Sequence, residues 1–279
     1  MNIIEILKAV LFGVVEGFSE WLPISSTGHM ILLNEFVTLQ VSEEFWEVFL
    51  VVIQLGAILA VVCLYWTRLW PFGRNEKNFI KKDIFSMWFK VLVACVPAAI
   101  IGILFDDILD EYLYNFQTVA ISLIVFGVAF IVIENRNTGK DPVICSIAEI
   151  TYKTALIIGF FQLIAAIFPG TSRSGATIIG ALLIGVSRQV AAEFTFFLAI
   201  PVMLGASLLK IVKFGVMPTT EEFTILLVGM VVAYVVSIVV IRFLMGYIKK
   251  HDFKVFGWYR IVLGVIVLGY FAVNTMTSM

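Results

Sequence analysis

Glu16 and Glu20 stand four residues apart in an apolar stretch, and Ser25-Ser26-Thr27-Gly28-His29 follows directly. That spacing puts both carboxylates on one face of a helix. An ionisable side chain at membrane depth is costly and marks a pathway or a site. Two carboxylates so placed suit a divalent cation, or an acid and a base held close. The hydroxyl run opens the next helix. One hydroxyl is enough for a cap; three, with Gly28 permitting close backbone approach, suit an anion held by the free N–H groups of a helix N-terminus. His29 can give or take a proton at neutral pH. The other histidine, His251, lies in a basic loop and is assigned no role.

A second stretch mirrors the first. Gln162 precedes Pro169-Gly170-Thr171-Ser172-Arg173-Ser174-Gly175-Ala176-Thr177. A glycine-rich turn before a helix can present a nest of N–H donors to an anion, and Arg173 adds the planar fork that matches phosphate oxygens. Aligned on Pro23 and Pro169, Glu16 faces Gln162, Glu20 faces Ala166, and Ser25-Ser26 faces Thr171-Ser172. Carboxylates and a histidine sit in one copy and an arginine in the other, so a working site needs both copies to meet.

The elements that position these residues are apolar. Of 279 residues, 61% are hydrophobic and 14% charged, with a mean hydropathy of +1.04. That balance belongs to an all-α polytopic membrane protein. The net charge of −1 leaves no basic face for nucleic acid. Cys63, Cys95 and Cys145 have no metal spacing, and no disulfide framework or removable signal peptide is read. Six runs are long enough to span: Phe49–Trp66, Met87–Leu104, Phe116–Ile133, Ala191–Ile211, Phe223–Leu244 and Phe256–Val273. Pro97 and Pro201 are expected to kink two of them. Residues 3–34 and 154–186 are broken by the polar loops into halves too short to cross, so each reads as a re-entrant helix-loop-helix hairpin.

The duplication continues beyond the loops, since Glu44-Phe45 with Leu55-Gly56-Ala57 matches Glu193-Phe194 with Leu204-Gly205-Ala206. The chain 1–279 is therefore one integral membrane domain of two repeats, about 1–135 and 150–275. One hairpin plus three spans is an odd count, so the second repeat is inverted and the hairpins enter from opposite faces. One face collects Arg68, Arg74, Lys77, Lys81, Lys82, Arg136, Lys140 and Lys153, and the other Asp106, Asp107, Asp110, Glu111, Glu221 and Glu222. The positive-inside rule makes the first face cytoplasmic; Lys210 and Lys213 run against it. Arg260, near the start of the last span, is expected to snorkel to that face. Gln54 and Gln162 are lone polar groups in apolar helices, and Gln162 has the better claim because it mirrors Glu16. Glu44 and Glu193 read as helix-start acids.

These motifs closely resemble the undecaprenyl-diphosphatase family of the bacitracin-resistance type. The family pattern is a glutamate-rich segment leading into Pro-x-Ser-Ser-x-Gly-His, then Pro-Gly-x-Ser-Arg-Ser-Gly-x-Thr. Here it stands as Glu16, Glu20, Pro23, Ser25, Ser26, Gly28 and His29, then Pro169, Gly170, Ser172, Arg173, Ser174, Gly175 and Thr177. The resemblance implies a phosphatase in the bacterial plasma membrane that converts undecaprenyl diphosphate to undecaprenyl phosphate, recycling the lipid carrier of wall polymers and conferring bacitracin resistance. It implies a magnesium or calcium ion, held here by Glu16 and Glu20, and a site open to the outer leaflet. On this expectation Ser26 attacks phosphorus, His29 handles the proton and Arg173 stabilises the transferred group, with metal-activated water as the rival to Ser26. Ser25, Thr27, Gly28, Gln162, Gly170, Thr171, Ser172, Ser174 and Thr177 bind substrate. A homodimer is open, and a polyprenyl-phosphate transporter or flippase is the competing class, since inverted repeats and broken helices are transporter traits.

Overall fold

In the computed structural model, residues 3–73, 79–113, 115–215 and 218–277 are described. Arg74 and Lys77, and the side chains of Asp106, Asp107 and Asp110, lie outside that set. Two short helices, α1 (Ile3–Ser19) and α2 (Ser26–Phe36), come first. A long apolar rod follows, made of α3 (Glu43–Val52) and α4 (Gln54–Leu64), then the single turn α5 (Trp66–Leu69), α6 (Lys82–Leu113) and α7 (Phe116–Asn137). The second half repeats this order. Another short pair, α8 (Tyr152–Ile167) and α9 (Arg173–Leu183), precedes α10 (Arg188–Phe214), α11 (Thr220–Tyr247) and α12 (Lys254–Thr277). Strand pairing among the described residues is confined to the isolated bridges Phe72–Ile80 and Ile144–Val186.

Among the described residues, six segments are long and apolar enough to cross a membrane: Glu43–Leu64, Lys82–Phe105, Phe116–Asn137, Arg188–Lys213, Thr220–Tyr247 and Lys254–Val273. All but the third begin earlier than the runs read from hydropathy, and the first ends two residues sooner, at Leu64 rather than Trp66. Ser42, Asn115, Ser187 and Thr219 each accept an N–H from the first turn of their helix. The helices run on through Pro97 and Pro201, whereas the first span divides at Ile53, where there is no proline.

The packing is reciprocal. α1 lies along α11, while α8, its counterpart in the second half, lies along α6. Both contacts depend on a missing side chain. A Cβ on Gly13 would sit 2.6 Å from the Gly229 carbonyl oxygen, and one on Gly159 would sit 2.4 Å from that of Ala94. Backbones that approach this closely associate by van der Waals contact, which matters where lipid removes the hydrophobic drive between helices. α7 and α12 pack together through Gly127 and Gly257, each of which meets the other's carbonyl oxygen.

Charged pairs fasten the basic end. Glu134 on α7, fully buried, accepts from Arg188 Nε at 2.9 Å and from the Phe253 amide at 3.0 Å. Arg68 pairs with Glu193. Glu193 is therefore no helix-start acid: it lies in the second turn of α10, buried, because the Ser187 cap starts that helix earlier than the motif suggested.

Candidate active site

The two polar loops are built alike, one residue out of the register that the prolines give. Ser25 caps α2 by accepting from the Gly28 amide, and Ser172 caps α9 by accepting from the Gly175 amide. Both serines have positive φ, 75° and 68°. Apart from glycines, they are the only such residues described. A non-glycine there costs roughly 1–3 kcal/mol and persists where surroundings over-determine it. The structural partner of Ser25 is thus Ser172 rather than Thr171, and Ser26 corresponds to Arg173. The cue in the sequence is Ser-x-x-Gly, which the proline alignment obscures because the second loop is one residue longer. Gly170 supplies the extra turn at φ 85°, with its Cα against Val119, where a Cβ would meet the carbonyl at 2.5 Å.

Glu20 joins the halves. It is buried at the end of the first helix, beside Trp21, whose ring stands edge-on to Phe196 at 5.3 Å. Its Oε2 accepts from Ser26 Oγ at 2.6 Å and its Oε1 from Arg173 Nη2 at 3.0 Å. Its carbonyl accepts from Ser174 Oγ at 3.1 Å. The residues opening α2 and α9 therefore converge on one carboxylate. Arg173 Nη1 also donates to the Thr195 carbonyl at 3.1 Å, and Thr177 bonds the Thr195 hydroxyl at 2.9 Å. Thr195, on α10, escaped the sequence reading, although a threonine beside the repeated Glu-Phe pair was its signal. A cavity of about 150 Å³ opens against Glu20, Ser26, Thr27, Ser172, Arg173 and Gln54.

Other candidates fall elsewhere. His29 Nδ1 lies 2.7 Å from the Ser25 carbonyl, and Nε2 lies 2.7 Å from the Tyr259 hydroxyl, with the two rings stacked. The histidine therefore faces α12, not the cavity. Gln54 lines the cavity at the break between α3 and α4, while Gln162, fully buried, does not. The structure thus reverses their order. Among the described residues, Gln162 Nε2 and Oε1, Thr171 Oγ1, Arg173 Nε and Glu16 Oε1 are buried with no partner. Gly28 lets α2 lie on Leu123, where a Cβ would stand 3.3 Å from its methyl carbon.

Arg260 corrects the expectation of a snorkelling cation. It is fully buried and donates to the carbonyls of Pro23, Gly170 and Thr171. An arginine near a span end reads the same whether it turns to water or inward. Only the packing of α12 on α7 decides it.

The donor set also bears on a cation. Among the described residues no three His, Cys, Asp or Glu side chains cluster, so no all-protein cage is formed. Magnesium is commonly held by one or two carboxylates together with substrate phosphate oxygens. Glu20 lines the cavity with both oxygens bonded, to Ser26 and Arg173. Glu16, one helical turn before it, lies outside the cavity lining, buried with Oε1 unpaired among the described residues. An ion bound in that way would draw on these two carboxylates.

The model of the family described as bacitracin resistance protein BacA matches residues 9–266. Undecaprenyl-diphosphatase 1 of Clostridium acetobutylicum is 66% identical over 98% of this chain and all of its own length. Undecaprenyl-diphosphatases of Enterococcus faecalis and Streptococcus thermophilus are 63% and 56% identical, over 96% and 98% of this chain and 98% and 95% of theirs.

Proposed function

The chain belongs to the bacitracin resistance protein BacA family, and we propose that it is a bacterial membrane phosphatase acting on undecaprenyl diphosphate. It yields undecaprenyl phosphate and inorganic phosphate. Full-length relatives bear that enzyme's name. The observation that carries the reading is Glu20, a buried carboxylate bonded to a serine hydroxyl on one side and a guanidinium on the other. A hydroxyl directed at a base is the arrangement of an activated nucleophile. Two helix N-termini and Arg173 around the same small cavity suit the charge of a transferring phosphoryl group. The cavity admits a phosphate head, and the lipid tail stays among the spans.

In this mechanism Ser26 Oγ bonds to the terminal phosphorus as its proton passes to Glu20. The bond from phosphorus to the bridging oxygen breaks, and undecaprenyl phosphate leaves with that oxygen. Water then attacks the phosphoserine, the Oγ–P bond breaks, Glu20 returns its proton to Oγ, and the proton shed by water leaves with the phosphate. Arg173 faces the oxygens throughout. Glu20, not His29, takes the first proton because the Ser26 hydroxyl is directed at it; His29, held by Ser25 and Tyr259, supports the loop. A magnesium or calcium ion held by Glu16 and Glu20 would neutralise phosphate charge. The test is phosphate release by purified protein with and without chelator, combined with acid quenching and mass spectrometry. We expect chelator-sensitive release and a phosphate on the peptide bearing Ser26. Release without that adduct would give the attack to water, and no release with either cation present would favour lipid translocation.

The same reading makes the halves an inverted repeat with re-entrant pairs. α2 and α9 start together at Glu20 and end apart: α2 leads to Ser42, which bonds Glu222, and α9 leads to Gly185, which bonds Val143. The break at Ile53 and Gln54 beside the cavity is the feature that favours a translocation activity as well. With the basic face cytoplasmic, the site opens toward the outer leaflet. Cys145, exposed in the α7–α8 connection, then resists an impermeant maleimide in intact cells, while Asn115→Cys at the start of α7 reacts. The opposite labelling pattern would reverse the orientation.

A further inference from the structure

We propose that Arg260 is the positioning residue that holds both phosphate-binding loops in register, gripping each from its carbonyl side. The inference rests on the reading that these loops receive a phosphate. Nη1 donates to the Pro23 carbonyl at 3.2 Å, in the first loop. Nη2 donates to Gly170 at 3.0 Å and Thr171 at 2.7 Å, in the second. Nε reaches the Leu123 carbonyl of α7 at 3.5 Å. One guanidinium thus joins two loops that lie 147 residues apart at their capping serines, 25 and 172. All four bonds go to backbone, and no carboxylate pairs with Arg260 among the described residues. Room for it is made by Gly175, where a Cβ would stand 3.0 Å from Nη1. The Phe126 ring lies 5.9 Å from Cζ on another side.

A fully buried arginine without a counter-charge is costly unless its donors are satisfied. Here the satisfaction has a consequence on the far side of the peptide. In a trans peptide the C=O and N–H point in opposite directions. Drawing the Thr171 carbonyl to Arg260 turns the Ser172 N–H away from it, and Ser172 lines the cavity beside Ser26 and Arg173. That amide donates to no group in the protein among the described residues. The same grip keeps the positive-φ serines at 75° and 68° in place, and with them the free first-turn amides of α2 and α9. Phosphate recognition at the cavity therefore begins behind it. The cation under the loops also offsets the negative charge that Glu16, Glu20 and a diphosphate bring together.

The test compares Arg260→Lys and Arg260→Gln with the wild type, each taken from the monodisperse fraction of a detergent size-exclusion run. Phosphate release and inhibition by orthovanadate are measured per folded molecule. A loop-positioning role predicts kcat lower by about 100-fold in both variants, the cost of roughly ångström misplacement of reacting groups. It also predicts vanadate inhibition weakened in step, with KM for the lipid moving far less because the tail dominates binding. A structural role moves the yield of folded protein and leaves turnover and vanadate affinity per folded molecule unchanged, which would overturn the proposal. So would failure of both variants to give monodisperse protein, since loop positioning leaves the six spans intact. A wild type that releases no phosphate would refute the phosphatase reading itself, a result separable from either variant outcome.

Discussion

Glu20→Gln is expected to lower kcat by about 10³- to 10⁴-fold, at the upper end of what a positioned general base contributes. Glutamine keeps the shape of the side chain and can still accept from Arg173, but it cannot take the proton of Ser26. In the structure both carboxylate oxygens are in use, Oε2 by Ser26 at 2.6 Å and Oε1 by Arg173 at 3.0 Å. The backbone contact from Ser174 survives the change, because it is made to the Glu20 carbonyl. The variant should therefore fold with its loops in place and fail at the chemical step. Two measurements separate base from metal ligand. Rapid-quench kinetics should show phosphoserine formation slowed, and a tenfold excess of magnesium should leave the defect unchanged. Recovery with added cation would make Glu20 a ligand first and a base second. Activity within tenfold of wild type would remove it from proton transfer altogether.

The residues of this site were legible in the sequence to the extent that their chemistry conflicted with their surroundings. Glu16, Glu20, Ser26 and Arg173 announce themselves because charge and clustered hydroxyls are expensive inside apolar helices. Their meeting was also legible, since each copy of the duplicated loop holds only part of the chemistry. The six spans follow from length and hydropathy, and three begin earlier than their apolar runs because Ser42, Ser187 and Thr219 cap them, while Asn115 caps α7 where its run already begins. What stayed hidden depends on rotation about a helix axis, which a single polar residue does not fix. Gln162 has the better claim in the sequence because it mirrors Glu16, yet Gln54, at the break between α3 and α4, lines the cavity while Gln162 is sealed between α8 and its neighbours. His29 lies one turn beyond Ser25 and so points at Tyr259. Arg260 was hidden for a different reason. Its partners are carbonyl oxygens, which every residue carries, so no side-chain motif marks them.

Arg173→Lys is expected to cost about 10²- to 10³-fold in kcat, comparable to removing a preorganised donor from a transition-state site. The charge is kept, so the argument turns on directions. Arg173 spends Nη1 on the Thr195 carbonyl and Nη2 on Glu20, which fixes the plane of the guanidinium. Its Nε is buried with no partner among the described residues. A planar fork can hold two anchors and still present donors on its remaining edge to a phosphoryl group. An ammonium has a single nitrogen, which can keep Glu20 or turn to the phosphate but cannot span Thr195, Glu20 and substrate together. Thermal stability in detergent should change little, since the lysine still neutralises Glu20. Inhibition by orthovanadate should weaken in step with kcat/KM, because the lost contacts belong to the transferring group. A lysine variant within threefold of wild type would show that a point charge suffices. The geometry at Thr195 would then serve folding, and phosphate recognition would rest on the amides of the two loops alone.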